Sequence, residues 1–457
     1  MSLRSNLQKC IYNFLGMKNP SNVVVRIAPS PTGNLHIGTA RTALFNYLFA
    51  KQNDGKFILR IEDTDKERSK KEYEENIIEG LHWLGMSWDE IYRQSERSDI
   101  YKKYIEKLIH EDKAYISKEE AKEEGQRSEV IRFRNPNKEL VFSDAVRGEI
   151  TFNTTDLGDF VIAKTINEPL YHLAVVVDDH DMGVTHVIRG EDHISNTPRQ
   201  ILIQEAIGAK RPVYAHMALI LNKDKSKLSK RDGATSVLDY KEKGYIKDAF
   251  VNFLALLGWA PKDEKEIFSM DELIQTFRIE DLQKGGAMFN VEKLNWFNKE
   301  WIKKIDDKIL IEMISSKVNI DNEILKKAIV EIKERIENIN NLESLFIEGG
   351  EFEYLISLPE FETSKLNWKE NTPDATLKHL HKIMNFIVEI NLDDFQTKKI
   401  KEIIFPYATE EGKGDVLWPL RYSLSGKDRS IDPFTLSYIL GKEEVIKRIT
   451  NAIQKLS

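Results

Sequence analysis

The chain has 457 residues, 41% hydrophobic and 31% charged, which is the balance of a soluble globular protein with room for two to four domains rather than a fibrous or disordered one. No uninterrupted apolar run reaches the 18 to 20 residues of a membrane span, so an integral membrane protein is excluded. Sixty-seven basic against 74 acidic residues give a net charge of −7, and the stretch after residue 300 is no more basic than the whole, with 23 basic and 27 acidic side chains. Any polyanion bound here must meet local patches.

Residues 1–22 carry Arg4, Lys9 and Lys18 and no acid; they read as an N-terminal extension, with Met17 as an alternative start, and otherwise as an organellar transit segment. Cys10 is the only cysteine, so neither an intrachain disulfide nor a cysteine zinc cage can form, and a reducing, cytoplasmic compartment is expected. The matrix of an organelle is the alternative if 1–22 is a transit segment.

Val23 to Ala28 is a β-branched run expected to form a strand buried on both faces. A turn-rich loop, Pro29 to Leu35, follows, then helical spacing at Ala40, Ala43, Leu44, Tyr47 and Leu48, then Asp54-Gly55 and a second strand over Phe57–Ile61. This β-loop-α-β unit opens a parallel α/β domain. Ser69 with Glu72 fits a capping box before a helical face at Tyr73, Ile77, Leu81 and Leu84, and a second amphipathic helix carries Ile100, Tyr104, Ile105, Leu108 and Ile109. Residues 111–169 change character, with a charged run from Lys118 to Glu124 and short strand-like pieces at Val130–Phe133 and Glu149–Phe152, as in an inserted subdomain. Leu173–Val177 and Thr185–Ile188 then read as buried strands of the first sheet resumed. From about residue 306 helical periodicity dominates, as at Ile324, Leu325, Ala328, Ile329, Ile332, Ile336 and Ile339.

Two segments carry chemistry. Gly33-Asn-Leu-His-Ile-Gly38 lies between a strand and a helix, where helix N-terminal amides receive anions, but Thr39 and Ala40 replace the Lys and Ser/Thr of a P-loop and the middle glycine of a dinucleotide fingerprint is missing. Taken alone, His36 at its tip is more often an incidental loop residue than a functional one. Lys223 to Asp232 places five basic side chains in ten residues, which suits a polyphosphate or, equally, a solvated turn. Asp178, Asp179, His180, Asp181 and His186 have the composition of a hard-metal site but no fixed ligand spacing, and no metal is assigned to them.

As a pair the two segments are specific. Pro29 to Thr39 resembles the HIGH-type signature of class I aminoacyl-tRNA synthetases, and Lys227-Leu-Ser-Lys-Arg231 resembles their KMSKS-type signature. More narrowly, Arg26–Gly33, His36–Asn46, Leu59–Asp65, Val187–His193 and Ser195–Gln200 are together similar to glutamyl-tRNA synthetases of the bacterial and organellar type. Glutaminyl relatives carry a Pro-Glu-Pro-Asn loop where this chain reads Pro29-Ser-Pro-Thr32, and glutamyl-queuosine relatives lack a C-terminal region like the one after residue 306.

The resemblance implies a Rossmann-like α/β catalytic domain over 23–110 and 170–231, an α+β acceptor-end insertion over 111–169, a stem-contact segment over 232–305 and an all-α anticodon-binding domain over 306–457. It implies ligation of L-glutamate to tRNA(Glu) through glutamyl-adenylate, with ATP and Mg²⁺, by a monomer that needs no membrane. The insertion lacks the cysteines of zinc-bearing relatives, so no zinc is expected. His36, Gly38, Lys227 and Lys230 would be catalytic; Pro29, Gly33, His36, Gly38, Thr39, Asp192, Leu228, Ser229, Lys230 and Arg231 would hold ATP; Arg26, Ala28, Ser30, Glu62, Tyr171 and Arg189 would hold glutamate. Trp418, Arg421 and Tyr422 are candidates for anticodon contacts, with core packing the simpler account of Trp418. A non-discriminating enzyme that also glutamylates tRNA(Gln), and a non-catalytic tRNA-binding paralogue, are the alternatives. A paralogue would be expected to have lost His36 or Lys230.

Overall fold

The computed structural model describes residues 23–118, 129–228, 236–262 and 264–457, so the expectations for 1–22 and for Ser229, Lys230 and Arg231 lie outside the described residues. The chain divides into two compact units, residues 1–297 and 298–457.

The first unit begins with β1 (Val24–Ile27), α1 (Ile37–Gln52), β2 (Lys56–Ile61), α2 (Lys71–Trp83), β3 (Glu90–Arg93) and α3 (Ser98–His110). β1, β2 and β3 form a parallel sheet in that order, Arg26 opposite Ile58 and Leu59 opposite Ile91. The expected β-loop-α-β unit is therefore present. Ser69 does not cap α2: Lys70 occupies the N-cap with no side-chain bond, so the capping box fails.

β4 (Ala114–Lys118), β5 (Glu129–Phe133), β8 (Phe160–Thr165) and β9 (Glu168–Pro169) form one antiparallel sheet, and between them β6 (Glu139–Asp144) and β7 (Gly148–Asn153) form a hairpin. That hairpin joins a different sheet. β10 (His186–Gly190) and β11 (Val213–Met217) are parallel, and β6 is placed beside β11 with Asp144 opposite Tyr214. Thr185 N donates to Val24 O at 2.9 Å, which ties β10 alongside β1. Parallel strands thus return after the insertion at His186–Gly190, but in a four-stranded sheet of their own, β10-β11-β6-β7, and not as a continuation of β1-β2-β3.

Leu173–Val177 is not a strand. It lies in α4 (Tyr171–Asp181), where every residue from Leu173 to Asp179 is buried. A helix covered on all sides shows no polar face, so its apolar run cannot be told from that of a buried strand by periodicity. α5 (Thr197–Ile207) links β10 to β11. The remainder of the unit comprises β12 (Ile220–Leu221), α6 (Val237–Glu242), α7 (Lys247–Leu256), α8 (Met270–Thr276), β13 (Ala287–Met288) and α9 (Val291–Lys303), in which the division between units falls.

In the second unit, α10 (Asp307–Ser315), α11 (Asn322–Lys333), α12 (Pro373–Glu389), α13 (Thr397–Glu411), α14 (Lys413–Ser425), α15 (Pro433–Leu440) and α16 (Lys442–Leu456) are joined by turns and short 3₁₀ segments. The expected run through Ile339 is interrupted: α11 stops at Lys333, and Ile336 is buried beyond its end. α12 starts in the regular way, with Thr372 accepting the Ala375 amide at 3.3 Å and Pro373 in the first turn. Leu380, Ile383, Ile387, Ile400, Ile404, Leu420 and Ile449 fill the interior between α12, α13, α14 and α16. Tyr422 belongs to this core, whereas Trp418 is only half-buried. Its Nε1 donates to Lys365 O at 2.8 Å and the Arg421 guanidinium sits 4.9 Å from its ring centre.

Candidate active site

A cavity of about 330 Å³ opens within the first unit at the C-terminal ends of β1 and β10 and the N-terminus of α1. Crevices outside the carboxyl ends of parallel strands are the usual ligand position in α/β sheets. Its lining includes Pro29, His36, Gly38, Thr39, Asp192, Lys227 and Leu228 from the expected nucleotide set and Arg26, Ala28, Ser30, Glu62, Tyr171 and Arg189 from the expected amino-acid set. Gly33 does not line it. Ile27, Arg41, Thr42, Ile188, Gly190, His193, Leu219 and Ile220 do, and were not singled out from the sequence.

His36 is the N-cap of α1, and its Nδ1 accepts the Gly38 amide at 3.0 Å. An accepting Nδ1 in a neutral ring puts the proton on Nε2. Gly38 has a local role as well as any toward a nucleotide: a Cβ there would come within 3.0 Å of His36 Cε1, so the glycine makes room for the ring. Across the cavity, Lys227 Nζ lies 2.8 Å from Asp192 Oδ2. Burial raises the affinity of Asp192 for a proton, but the Lys227 bond and charge outweigh it and hold the carboxyl below its ordinary range.

Beneath the amino-acid side lies a network of buried ions. Arg26 Nε donates to Asp179 Oδ1 at 3.1 Å and Nη2 to Oδ2 at 3.4 Å. Arg60, fully buried near the C-terminal end of β2, reaches Asp179 Oδ1 at 2.6 Å and Glu62 Oε1 at 3.1 Å. Its neighbour Asp178 is held by Arg97 Nε at 2.7 Å, Tyr101 Oη at 2.9 Å and Gln94 Nε2 at 2.8 Å. Asp178 and Asp179 are therefore arginine partners, and Asp181 also takes Arg97. Among the described residues no three His, Cys, Asp or Glu side chains converge on a point a metal could occupy. Burial pushes the Glu62 carboxyl above its usual range against the pull of Arg60 and Arg26, which leaves it poised to gain from an incoming cation.

Arg189 differs from Arg26. It is buried, and its Nε donates to His216 Nε2 at 3.1 Å and its Nη2 to Thr197 Oγ1 at 2.9 Å, both neutral acceptors. Burial lowers its hold on its proton, and among the described residues no carboxylate forms an ion pair with it. Tyr171 Oη lies 3.2 Å from His193 Nδ1, and burial drives the pKa values of His193 and His172 down to about 4. Arg41 on α1 donates to Leu257 O at 2.9 Å and to Ala218 O, tying α1 to the segments leading out of β11 and α7.

Residues 22–127 and 117–296 match the sequence family described as tRNA synthetases class I (E and Q), catalytic domain, and residues 291–453 match an anticodon binding domain. The glutamate–tRNA ligase of Aquifex aeolicus (strain VF5) is 41% identical over 483 aligned positions, covering 96% of this chain and 100% of that one. The chain belongs to the glutamate–tRNA ligase family. The member from Carboxydothermus hydrogenoformans is 40% identical, with 94% and 99% of the two chains covered. Among solved structures, a glutamate tRNA ligase from Elizabethkingia meningosepticum in complex with its amino acid superposes with a TM-score of 0.82 at 35% identity, covering 95% of this chain and 100% of that one.

Family membership fits both units. This glutamate–tRNA ligase family member has the class I catalytic domain with its parallel sheet and a helical C-terminal anticodon domain, and it is an enzyme of the aminoacyl-tRNA synthetase class. No helix among the described residues is long and apolar enough to cross a membrane.

Proposed function

We propose that the cavity joins L-glutamate to ATP and then to tRNA(Glu). A carboxylate oxygen of glutamate attacks the α-phosphorus, the bond to the bridging oxygen breaks, and pyrophosphate leaves, giving glutamyl-adenylate. A terminal ribose hydroxyl of the tRNA then attacks the activated carbonyl and AMP departs. The first step moves negative charge onto the departing pyrophosphate and the second onto the carbonyl oxygen and then the departing AMP, so positioned donors and cations are what the protein must supply. His36, with Nε2 protonated, and the first amides of α1 are donors to the nucleotide phosphates. Lys227 and Lys230 stabilise the departing pyrophosphate, which requires Lys227 to exchange Asp192 for phosphate. Mg²⁺ enters with ATP and neutralises phosphate charge; no protein ligand is assigned to it.

The observation that carries the amino-acid assignment is the contrast between the arginines. Asp179 compensates Arg26, while Arg189 retains a charge that only neutral groups touch. Arg189 with Tyr171 takes the substrate's side-chain carboxylate, Glu62 takes its ammonium, and Ala28 and Ser30 border it. Glutamine has the same shape without the charge. One lost charged hydrogen bond, at about 1.5–3 kcal/mol, corresponds to roughly 10–150-fold discrimination.

We assign the chain to functional regions as follows: 23–110 and 170–231 catalytic, 111–169 for the acceptor end, 232–305 for the stem and 306–457 for the anticodon, where Trp418 and Arg421 present an aromatic and cationic surface suited to an unstacked base. The protein acts as a cytoplasmic monomer. The deciding experiment is glutamate-dependent charging of purified tRNA(Glu) and tRNA(Gln), with and without ATP. Charged tRNA(Glu) that requires ATP is expected; no product on either tRNA would sink the proposal, and charging of both would make the enzyme non-discriminating.

A further inference from the structure

Behind the cavity wall, three buried side chains on three neighbouring strands form a relay that the reaction itself does not use. Arg189 on β10 directs Nε–H to Nε2 of His216 on β11 at 3.1 Å, and His216 Nδ1 lies 2.6 Å from Oδ2 of Asp144 at the end of β6. Asp144 is 2% exposed and His216 is 0% exposed. The carboxylate is itself immobilised: Oδ1 accepts the amides of Val146 at 3.0 Å and Arg147 at 2.9 Å, and Oδ2 accepts that of His216 at 3.1 Å. An arginine Nε is always a donor, so His216 Nε2 must be an acceptor and the ring proton must sit on Nδ1, facing Asp144. Burial keeps the imidazole neutral. Thr197 completes the cradle, accepting from Arg189 Nη2 at 2.9 Å while its hydroxyl lies 3.2 Å from His193 O.

We propose that His216 and Asp144 are positioning residues for glutamate selection: Asp144 sets the tautomer of His216, whose Nε2 then holds the Arg189 guanidinium ready for the substrate's side-chain carboxylate. The inference rests on the assignment of Arg189 above. Its physical logic is that a guanidinium meant to receive a carboxylate cannot be held by one, because a direct partner would cancel the charge the substrate must meet. Arg26, clamped by Asp179, shows that alternative within the same cavity. A neutral imidazole orients without neutralising, and the carboxylate that fixes it stands one residue further back. Asp144 belongs to the 111–169 stretch, so a residue of the insertion shapes the amino-acid site.

Asp144→Asn tests this. Its oxygen can keep the amides of Val146 and Arg147, but its NH₂ then faces His216 Nδ1 and drives the ring proton to Nε2, donor against donor with Arg189. In ATP–pyrophosphate exchange the glutamate KM is expected to rise tenfold or more, the ATP KM to stay within twofold, and the kcat/KM preference for glutamate over glutamine to fall at least fivefold. His216→Gln, which restores a neutral acceptor to Arg189, is expected to lie within threefold of the parent glutamate KM, and His216→Leu to match Asp144→Asn; this pair carries the test if Asp144→Asn does not fold. Arg189→Ala separates the two levels of the argument. If it raises the glutamate KM while Asp144→Asn and His216→Leu leave it within twofold, the relay is overturned and the Arg189 assignment stands. If Arg189→Ala itself has no effect, the underlying assignment fails. Glutamate and ATP KM rising together in the relay variants would assign them a merely structural role and overturn the proposal.

Discussion

The two units bury polar groups for different ends. In the first, Arg26, Arg60, Glu62, Asp144, Asp178, Asp179, Arg189 and His216 occupy space that apolar side chains could fill, and they cluster under one cavity. In the second, the interior is built of Leu and Ile, and its one buried guanidinium among the described residues, Arg448, is spent on main-chain carbonyls of Tyr354 and Leu424 and on Glu444. Buried ions are weak evidence of stability, since taking a charge from water costs several kcal/mol before any partner repays it. Their concentration at one cavity therefore reads as a requirement of chemistry, and their scarcity in the helical unit as ordinary core packing.

The strongest way to break that contrast is Asp179→Ala, which leaves Arg26 and Arg60 short of a partner in a dry site. A loss of about 3–5 kcal/mol from the first unfolding transition in urea is expected, with glutamate-dependent exchange abolished; an active, equally stable variant would show that the network is not what holds the site. Lys230→Ala is expected to slow adenylate formation by about 100-fold or more without weakening glutamate binding, measured by pre-steady-state exchange and by calorimetry.

In the helical unit, Arg448→Met should cost about 1–3 kcal/mol, read from urea denaturation, because carbonyls of Tyr354 and Leu424 lose their donor. The glutamate KM should not move, which sharpens the division of labour. Acid gives a gentler test. His172 and His193 are held neutral, with pKa values near 4 against about 6.5 for an unfolded histidine. The unfolded chain then binds more protons, so stability is full above about pH 6.5 and declines as pH falls toward 4. The urea midpoint of the first unit should fall across that window, and replacing both histidines with Gln should flatten the decline. Smallest of all, Lys326→Ala removes an exposed i,i+3 pair with Glu323 and should leave the melting temperature of the helical unit where it is.

Much of the cavity was legible in the chain because its residues come in short, ordered strings. Arg26, His36 to Thr39, Glu62, Arg189 to Asp192 and Lys227-Leu228 fall in or beside the motif strings that carry the family resemblance, and it is that resemblance, more than local patterning, that pointed to them. The errors have one cause. Leu173–Val177 reads as a strand and Ser69 as a cap from sequence neighbours alone, whereas the first is a helix buried on all sides and the second lies one residue before the Lys70 N-cap. Gly33, in the nucleotide set that the resemblance implies, lies outside the lining.

By itself the sequence determined the order of an α/β region, an insertion and a helical region, because hydrophobic period is a local property, and through the resemblance its motifs carry it pointed to the family and to the residues expected to do the chemistry. Only the tertiary structure decided which charges are compensated. Asp179 on α4 finds Arg26 on β1 across 153 residues by the packing of that helix under the strand ends, and Asp144 finds His216 across 72 through the neighbouring positions of β6 and β11. Coulomb and hydrogen-bond energies depend on separations of a few ångströms in a dry interior, and no pattern along the chain encodes those distances. That is why Arg26 and Arg189, alike on the page as arginines in buried strands, become a clamped ion and an open one.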